Sequence, residues 1–235
     1  MARVIFNQQI DNHIYHIKIA GKYKGSMGQF YMLRGWDSYH PILGRPFSIF
    51  NLTSQSISFL YKVIGEGTHL LSKLKENDDI RLFGPYGRGF PQAKGKVVLI
   101  GGGMGLAPLY FAAQELIKNN SVESIHIYLG FKEKAILVDY FKKVSHKLII
   151  DVGGLISQKV IVDNYDYVFA CGPEEMLQAI VKQKKSEKTN IFISLERRMG
   201  CGLGACLSCT CQTREGNKLT CKDGPVFPGE DIYFV

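Results

Sequence analysis

The chain has 235 residues, of which 46% are hydrophobic and 21% charged, and it carries a formal net charge of +8. This composition is ordinary for a globular protein, and the length allows two small domains and an appendage. No apolar run reaches the roughly 18 residues of a membrane-spanning helix, and the first residues lack the apolar core of a signal peptide. We therefore expect a cytoplasmic protein that does not span a membrane.

The positive charge is spread along the sequence and does not form a patch for nucleic acid. The one local run consists of Lys182, Lys184, Lys185 and Lys188, and its spacing is that of a solvated helix face. We expect no nucleic-acid partner. A basic surface would instead attract an acidic nucleotide or an acidic protein.

Short alternating segments dominate residues 1–92. Runs such as Ile14 to Ile19 and Ile57 to Val63, separated by turns rich in Gly, Pro and Asn, predict short antiparallel strands. This pattern is typical of a β-sandwich or a β-barrel.

Two segments in this region are candidates for a ligand site. In Arg45-Pro46-Phe47-Ser48, the proline holds Arg45 extended and so fixes a guanidinium and a hydroxyl at a set separation. In the segment from Gly65 to Thr68, glycines would let backbone N–H groups approach a diphosphate near the start of a short helix, and Thr68 would add its hydroxyl to that site. Either segment taken alone is more typical of an ordinary turn.

From residue 93 the sequence changes to strands that alternate with helical stretches, which predicts a doubly wound α/β domain with a parallel sheet. Lys96 to Ile100 leads into Gly101-Gly102-Gly103-Met104-Gly105, and a later strand leads into Cys171-Gly172-Pro173. Such sheets bind nucleotides at the carboxyl ends of their strands. The first turn alone is explained equally well by packing, but the two turns together favour a nicotinamide nucleotide.

Five of the six cysteines lie between Cys201 and Cys221. Cys201, Cys206 and Cys209 have the spacing of plant-type ferredoxins, and Cys221 would be the fourth thiolate of a [2Fe–2S] cluster. Residues 190–235 are too few to bury a core unaided, so a metal centre would supply the missing stabilisation. A structural zinc is the alternative, although the spacing and three glycines around Cys201 favour the cluster.

Two further cysteines have less definite roles. Cys211 is expected to be a buried thiol two residues along a strand from Cys209, with an exchange of roles between these two residues left open. Cys171, at the edge of the predicted nucleotide crevice, is either a small buried thiol or a contact of the nicotinamide.

Taken together and in this order, these motifs closely resemble the electron-transfer subunits of B-type dihydroorotate dehydrogenase, within the ferredoxin-NADP reductase superfamily. The resemblance spans nearly the whole chain, and its most specific part is the segment from Cys221 to Phe227. It implies three domains: an FAD-binding β-barrel over residues 1–92, a nicotinamide-nucleotide-binding α/β domain over 93–189, and a [2Fe–2S] domain over 190–235.

The resemblance also implies which residues hold the cofactors. FAD would be held by Arg45, Pro46, Phe47, Ser48, Leu60, Tyr61, Lys62, Gly67 and Thr68. The NAD pocket would be shaped by Gly101, Gly102, Gly103, Met104, Gly105, Cys171, Gly172 and Pro173. The cluster would be ligated by Cys201, Cys206, Cys209 and Cys221. No residue of this chain is expected to act as a catalytic acid or base, because the cofactors carry the chemistry.

The implied function is a relay in pyrimidine biosynthesis. A partner subunit oxidises dihydroorotate to orotate on its FMN, and the electrons pass through [2Fe–2S] and FAD to NAD⁺, within a heterotetramer. Two other interpretations stay open: a flavin and iron–sulfur subunit of a hydrogenase-like or ferredoxin-linked NAD(P)H transhydrogenase complex, and a zinc-stabilised nucleotide-binding regulatory module. The docking surface is expected near the cluster, with Arg197 and Arg198 as candidate contacts.

Overall fold

Six antiparallel strands near the amino terminus close into a barrel with the order β1-β2-β5-β4-β3-β6. The computed structural model describes residues 1–234. The barrel strands are β1 (Ala2–Asp11), β2 (Ile14–Ala20), β3 (Phe30–Arg34), β4 (Arg45–Leu52), β5 (Ser56–Lys62) and β6 (Asp79–Tyr86), and helix α1 (Glu66–Ser72) lies between β5 and β6. The sequence left a sandwich and a barrel open, and the pairing of β1 with β6 decides for the barrel.

Alternation of side chains along the strands builds the barrel core. Ile17 and Ile19 on β2 are fully buried, as are Ile57 and Phe59 on β5. Their neighbours on β2, such as Lys18, are more exposed because successive side chains point to opposite faces of a strand. The strands predicted from Ile14 and from Ile57 are therefore confirmed, with ends that differ by a residue.

His16 on β2 is a partly buried polar residue among aromatic rings. Its ring lies edge-on against Phe6, with centroids 4.9 Å apart, and against Phe50, with centroids 5.1 Å apart. Its Nε2 atom is buried without a hydrogen-bond partner among the described residues. Burial, with a smaller contribution from Lys18, lowers the pKa of His16 from 6.5 to about 4.

This histidine is expected to make the protein less stable in mild acid. Between pH 6.5 and about 4 the unfolded chain takes up a proton that the folded chain does not, so the free energy of unfolding falls as the pH falls. The loss between pH 7 and pH 5 should be about 2 kcal/mol. Urea unfolding at both pH values should show a loss that is smaller in His16→Leu than in the wild-type protein by about this amount. An undiminished loss in His16→Leu, or its disappearance in His13→Asn at the exposed β1–β2 turn, would show that another group is responsible.

A second sheet of six strands follows, in the order β14-β11-β10-β7-β8-β9. Its parallel strands are β7 (Gly95–Gly102), β8 (Val122–Phe131), β9 (Lys147–Val152), β10 (Tyr167–Cys171) and β11 (Asn190–Ser194), and β14 (Val226–Pro228) is antiparallel at the edge. The helices are α2 (Leu106–Leu116), α3 (Val138–Lys142) and α4 (Glu174–Lys182). Apolar clusters cover both faces of this sheet, which confirms the predicted doubly wound α/β fold. Among residues 1–234, no helix has the length and apolar character to cross a membrane.

Helix α2 joins the sheet to the barrel. Nine of its eleven residues are buried, because it packs on the sheet with one face and against β4 with the other. The rings of Phe50 on β4 and Tyr110 on α2 stack with centroids 4.6 Å apart. The structure buries both faces of α2, and the barrel and sheet thus share one continuous apolar cluster.

The cysteine-rich segment leaves the sheet and returns to it. After β11 the chain forms a hairpin of β12 (Thr210–Thr213) and β13 (Gly216–Leu219), and then β14 pairs with β11 again. Because β11 is hydrogen-bonded along its length to β10, the boundary predicted at residue 190 falls directly before a strand of the sheet. We propose that the cysteine domain begins after Ser194.

Candidate functional site

A cavity of about 900 Å³ opens where the barrel, the sheet and the cysteine-rich segment meet. We call it the central cavity. Ten predicted site residues line it: Arg45, Pro46, Phe47, Ser48, Leu60, Tyr61, Lys62, Thr68, Met104 and Cys171. A cavity of this size, with apolar walls and a few polar groups, suits a large organic cofactor.

Arg45 lines one corner of the central cavity, and Gly67 lies directly against its guanidinium. The Arg45 guanidinium lies 5.8 Å from the centre of the Trp36 ring and donates a hydrogen bond to the Leu43 carbonyl. A Cβ atom on Gly67 would lie 2.6 Å from Nε of Arg45, so a larger residue would push this flexible side chain aside. Gly67 therefore positions the guanidinium beside the first turn of α1, where a phosphate group would also meet backbone N–H groups.

Aromatic side chains form the barrel wall of the central cavity. The Tyr61 ring is 5.5 Å from both the Tyr15 ring, on which it stacks, and the Phe47 ring. The Tyr61 hydroxyl donates a hydrogen bond of 2.9 Å to Oδ1 of Asn7, and burial raises the pKa of Tyr61. The phenol stays neutral, so this wall fits a planar apolar ring.

Thr68 makes different contacts from those expected. Its hydroxyl donates to the Gly65 carbonyl at 2.8 Å and accepts from the backbone N–H groups of Ile64 at 3.0 Å and Gly65 at 3.1 Å. A hydroxyl has one proton to donate, and here that proton stays within the turn. Thr68 therefore stabilises the turn before α1. A phosphate bound there would accept hydrogen bonds from backbone N–H groups and not from the Thr68 hydroxyl.

The two glycine-containing turns lie side by side, as the sequence predicts. Gly101, near the end of β7, is in register with Cys171 at the end of β10. The strand order changes direction between these two strands, which is the position where doubly wound sheets bind nucleotides. The turns therefore face one crevice.

Close packing explains several glycines of this crevice. A Cβ atom on Gly105 would clash with the Cys171 carbonyl and lie 2.8 Å from the Gly172 nitrogen. A Cβ atom on Gly102 would lie 2.8 Å from Cδ of Pro173. Of the predicted nucleotide residues, Met104 and Cys171 line the central cavity, and the others form the adjoining turns: Gly101, Gly102, Gly103, Gly105, Gly172 and Pro173.

Cys171 is a buried thiol at the boundary between the crevice and the central cavity. Its side chain is 2% exposed, and burial together with the Glu196 carboxyl raises the pKa of this thiol, despite a hydrogen bond with Ser194. The thiol is therefore neutral and a poor nucleophile. A contact with nicotinamide stays a prediction.

Glu196 was missed as a site residue in the sequence. It lies two residues beyond β11 and lines the central cavity. Its side chain is exposed along the cavity, yet enough protein surrounds the carboxyl that desolvation raises its pKa. One feature of the sequence could have identified Glu196 as a site residue. It is an acidic residue directly after the last parallel strand, which lies beside the strands at the nucleotide crevice.

The four predicted cluster ligands stand as two pairs, and the outer pair is Cys201 with Cys206. The Cys201 sulfur accepts backbone N–H groups of Leu203 at 3.5 Å, Ala205 at 3.3 Å and Cys206 at 3.4 Å. These bonds lower the pKa of Cys201. The Ser208 hydroxyl and nearby backbone N–H groups lower the pKa of Cys206 to about 6. The loop therefore favours thiolates, the form that binds metal.

The inner pair, Cys209 with Cys221, is buried, and each residue is 2% exposed. The Cys221 N–H donates to the Cys209 sulfur at 3.4 Å, and burial raises the pKa of Cys221 to about 12. Across residues 1–234, no three His, Cys, Asp or Glu side chains gather as a site for a metal ion. Two cysteine pairs nevertheless match the donor set of a two-iron cluster, in which four thiolates serve two irons.

Cys211 packs in a different apolar cluster from the inner pair. It is on β12, is 4% exposed, and packs in the apolar cluster that also holds Leu195, Phe227 and Ile232. Burial raises the pKa of this thiol. Its position agrees with the interpretation of a buried neutral thiol.

Arg197 is engaged within the chain. Its guanidinium donates two hydrogen bonds, of 2.8 and 3.1 Å, to the Glu174 carboxylate in the first turn of α4. This bidentate pair ties the start of the cysteine-rich segment to the nucleotide crevice. Arg198 is exposed, so it is the better candidate of the two for contact with a partner.

The closed barrel, the doubly wound sheet and the cavity between them define a reductase of the ferredoxin-NADP reductase type. The solved structure of an NADH-dependent reduced ferredoxin-NADP oxidoreductase, studied for flavin-based electron bifurcation, has the same fold. Its TM-score is 0.87 at 27% sequence identity, over 99% of this chain and 90% of that chain.

Relatives narrow this class further. The electron transfer subunit of dihydroorotate dehydrogenase B (NAD(+)) from Clostridium acetobutylicum is 41% identical over 98% of this chain and 95% of its own length. The corresponding subunit from Clostridium perfringens is 37% identical over 97% of this chain and 95% of its own length. Residues 196–233 match the family model of the iron–sulfur cluster binding domain of dihydroorotate dehydrogenase B.

The chain belongs to the family of dihydroorotate dehydrogenase B electron transfer subunits. It is an electron-transfer component of an oxidoreductase and works with a catalytic partner subunit. The match over residues 196–233 decides between the iron–sulfur and zinc interpretations of the cysteines in favour of the cluster.

Proposed function

We propose that this chain carries electrons from the FMN of a dihydroorotate-oxidising partner to NAD⁺, by way of a [2Fe–2S] cluster and FAD. Dihydroorotate gives up two electrons and two protons, NAD⁺ takes two electrons and one proton, and one proton is released. When bound, FAD exchanges two electrons with nicotinamide and single electrons with the cluster. The central cavity carries this proposal, because the barrel wall, the nucleotide crevice and the cysteine-rich segment all border it.

The barrel side of the central cavity would hold FAD. Arg45 and the backbone N–H groups at the start of α1 offer positive charge and donors to the diphosphate. Phe47 and Tyr61 offer aromatic side chains to the flavin ring, and Ser48 offers a hydroxyl to its edge. The same wall includes Pro46, Leu60 and Lys62, while Gly67 and Thr68 shape the turn before the helix.

The sheet side would receive NAD. The segments Gly101–Gly105 and Cys171–Pro173 would form the crevice floor, and Met104 and Cys171 border the space where the nicotinamide would meet the flavin. We propose NAD rather than NADP as the co-substrate, since the relatives are named for NAD(+).

The cysteine-rich segment would hold the cluster, with Cys201 and Cys206 on one iron and Cys209 and Cys221 on the other. Cys206 and Arg198 are exposed, which supports a partner that docks on this side. We propose a cytoplasmic heterotetramer of two such chains and two catalytic subunits.

The test is anaerobic purification of the chain together with its catalytic partner. We expect a visible spectrum with flavin and iron–sulfur bands, and reduction of NAD⁺ that requires dihydroorotate. Colourless protein, or a coloured complex that reduces NAD⁺ only with a hydrogenase or a ferredoxin as donor, would contradict the proposed function.

A further inference from the structure

Strand β3 sends alternate side chains into two different apolar clusters. Tyr31 and Leu33 point into the barrel core, whereas Phe30 and Met32 face the opposite side. Phe30 and Met32 are 2% and 4% exposed because the cysteine-rich segment covers them. They share one cluster with the inner cysteine pair, with Tyr86, Met199 and Leu219 packed around it.

Phe30 also lines the central cavity, as does Met199. Phe30 therefore packs in the same apolar cluster as the inner cysteine pair, Cys209 and Cys221, and it also borders the central cavity. Met32 does not line the cavity; it packs beneath the cysteine loop, where a Cβ atom on Gly202 would lie 2.7 Å from Cγ of Met32. Two neighbouring side chains on one face of β3 thus have different surroundings.

The Phe30 ring is held from several directions. The Tyr86 ring lies 6.0 Å away, and a Cβ atom on Gly87 would lie 3.1 Å from Cε1 of Phe30 and 2.6 Å from Cδ of Pro225. The Arg88 N–H donates to the Gly224 carbonyl, which fixes this end of the barrel to the turn that follows Cys221. The ring position is therefore set by both the barrel and the cysteine-rich segment.

We propose that Phe30 is a positioning residue for electron transfer inside this chain. Its ring occupies the space between the flavin side of the central cavity and the inner cysteine pair. Cys209 and Cys221 are therefore the cluster ligands nearer the flavin. Cys201 and Cys206 then form the end nearer the partner. This inference rests on the proposed function. Two electrons cross this contact one at a time for each NAD⁺ reduced, and no bond forms or breaks at Phe30.

The physical reason is distance and packing. Electron transfer between cofactors slows steeply as the gap between them widens, and a tightly packed side chain keeps that gap short and free of water. Removing the ring of Phe30 would open a void between the central cavity and the inner pair. Removing the side chain of Met32 would open a void of related size away from the central cavity.

The test compares Phe30→Ala with Met32→Ala in the purified complex, by anaerobic rapid mixing with NADH. Flavin reduction and cluster reduction are followed separately by absorbance. In Phe30→Ala we expect flavin reduction within about twofold of the wild type and cluster reduction slower by roughly tenfold. In Met32→Ala both rates should stay within about threefold of the wild type. The FAD and iron contents and the EPR signal of the reduced cluster should match the wild type in both variants.

A conservative variant, Phe30→Leu, keeps most of the apolar volume and should recover part of the lost rate, which leaves cluster reduction about fivefold slower than in the wild type. If Phe30→Ala does not fold, Phe30→Leu is compared with Met32→Ala, and a slower cluster reduction in Phe30→Leu alone supports the inference. Equal slowing in the Phe30 and Met32 variants, or wild-type cluster reduction in a cofactor-loaded Phe30 variant, would overturn it. Failure of NADH to reduce the wild-type flavin would instead overturn the proposed function.

Discussion

Replacement of Cys209 by serine is expected to remove the iron–sulfur cluster and to leave FAD in place. Cys209 is buried, its sulfur accepts the Cys221 N–H, and it is not among the residues that line the central cavity. An iron–sulfur cluster needs its cysteine thiolates, and without it the flavin has no connection to the partner. Dihydroorotate-dependent NAD⁺ reduction should fall by about 100-fold or more. Iron and labile sulfide assays, together with the flavin spectrum, check this result.

Cys211→Ala is the matched control for this variant. Cys211 is equally buried and lies two residues along the chain, but it packs in the apolar cluster with Leu195 and Ile232. Its loss should cost about 1 kcal/mol of stability and no iron. Iron retained in Cys209→Ser but lost in Cys211→Ala would assign the ligand role to Cys211, the exchange that the sequence left open.

Replacement of Gly105 by alanine is expected to have the largest effect on the nucleotide crevice. The added Cβ atom would clash with the backbone carbonyl of Cys171, which is fixed at the end of β10. Backbone atoms cannot move aside as a flexible side chain can, so the ends of β7 and β10 must separate. We expect a loss of about 2–4 kcal/mol in stability and at least a tenfold weaker interaction with NADH.

Gly103→Ala distinguishes a clash from a general effect of losing a glycine. Gly103 has a φ of +55°, and a Cβ atom there would meet no heavy atom within 4 Å beyond its chain neighbours. Alanine at this position should therefore cost about 1 kcal/mol through backbone strain alone. Thermal unfolding measures stability, and the NADH concentration needed for half-maximal flavin reduction measures the crevice. Equal effects of the two substitutions would show that contact with Cys171 is not the cause.

Local patterns predicted the strands but not how the first sheet closes. The alternation around Ile17 and around Phe59 is visible in a short window, because every second side chain is apolar. Closure depends on the pairing of β1 with β6, whose residues are far apart in the sequence. No local pattern carries that information, so the local pattern left the sandwich and the barrel open, and only the family resemblance implied the barrel.

Local sequence patterns likewise identified some residues of the candidate functional site but not those that depend on distant elements. Segments with unusual backbone requirements, such as Arg45 to Ser48 and Gly101 to Gly105, were recognisable and lie in or beside the central cavity. Phe30 carries no such marker, and Glu196 is marked only by its place directly after the last parallel strand, since the positions of both depend on elements that meet only in the folded chain. The hydroxyl of Thr68 was expected to point to a ligand, but nearby backbone groups bind it first.

The return of the chain from the cysteine hairpin to the sheet, through β14 beside β11, makes residues 195–225 an insertion clamped at both ends. A carrier on a single tether must diffuse between donor and acceptor, and its rate then depends on linker length and solvent viscosity. Here the backbone hydrogen bonds of Ile193 with Phe227 and of Leu195 with Pro225 set the separation between the cluster loop and the flavin wall. Electrons that pass between these two sites would then cross a fixed spacing, and NAD⁺ is the component that must diffuse to and from the chain.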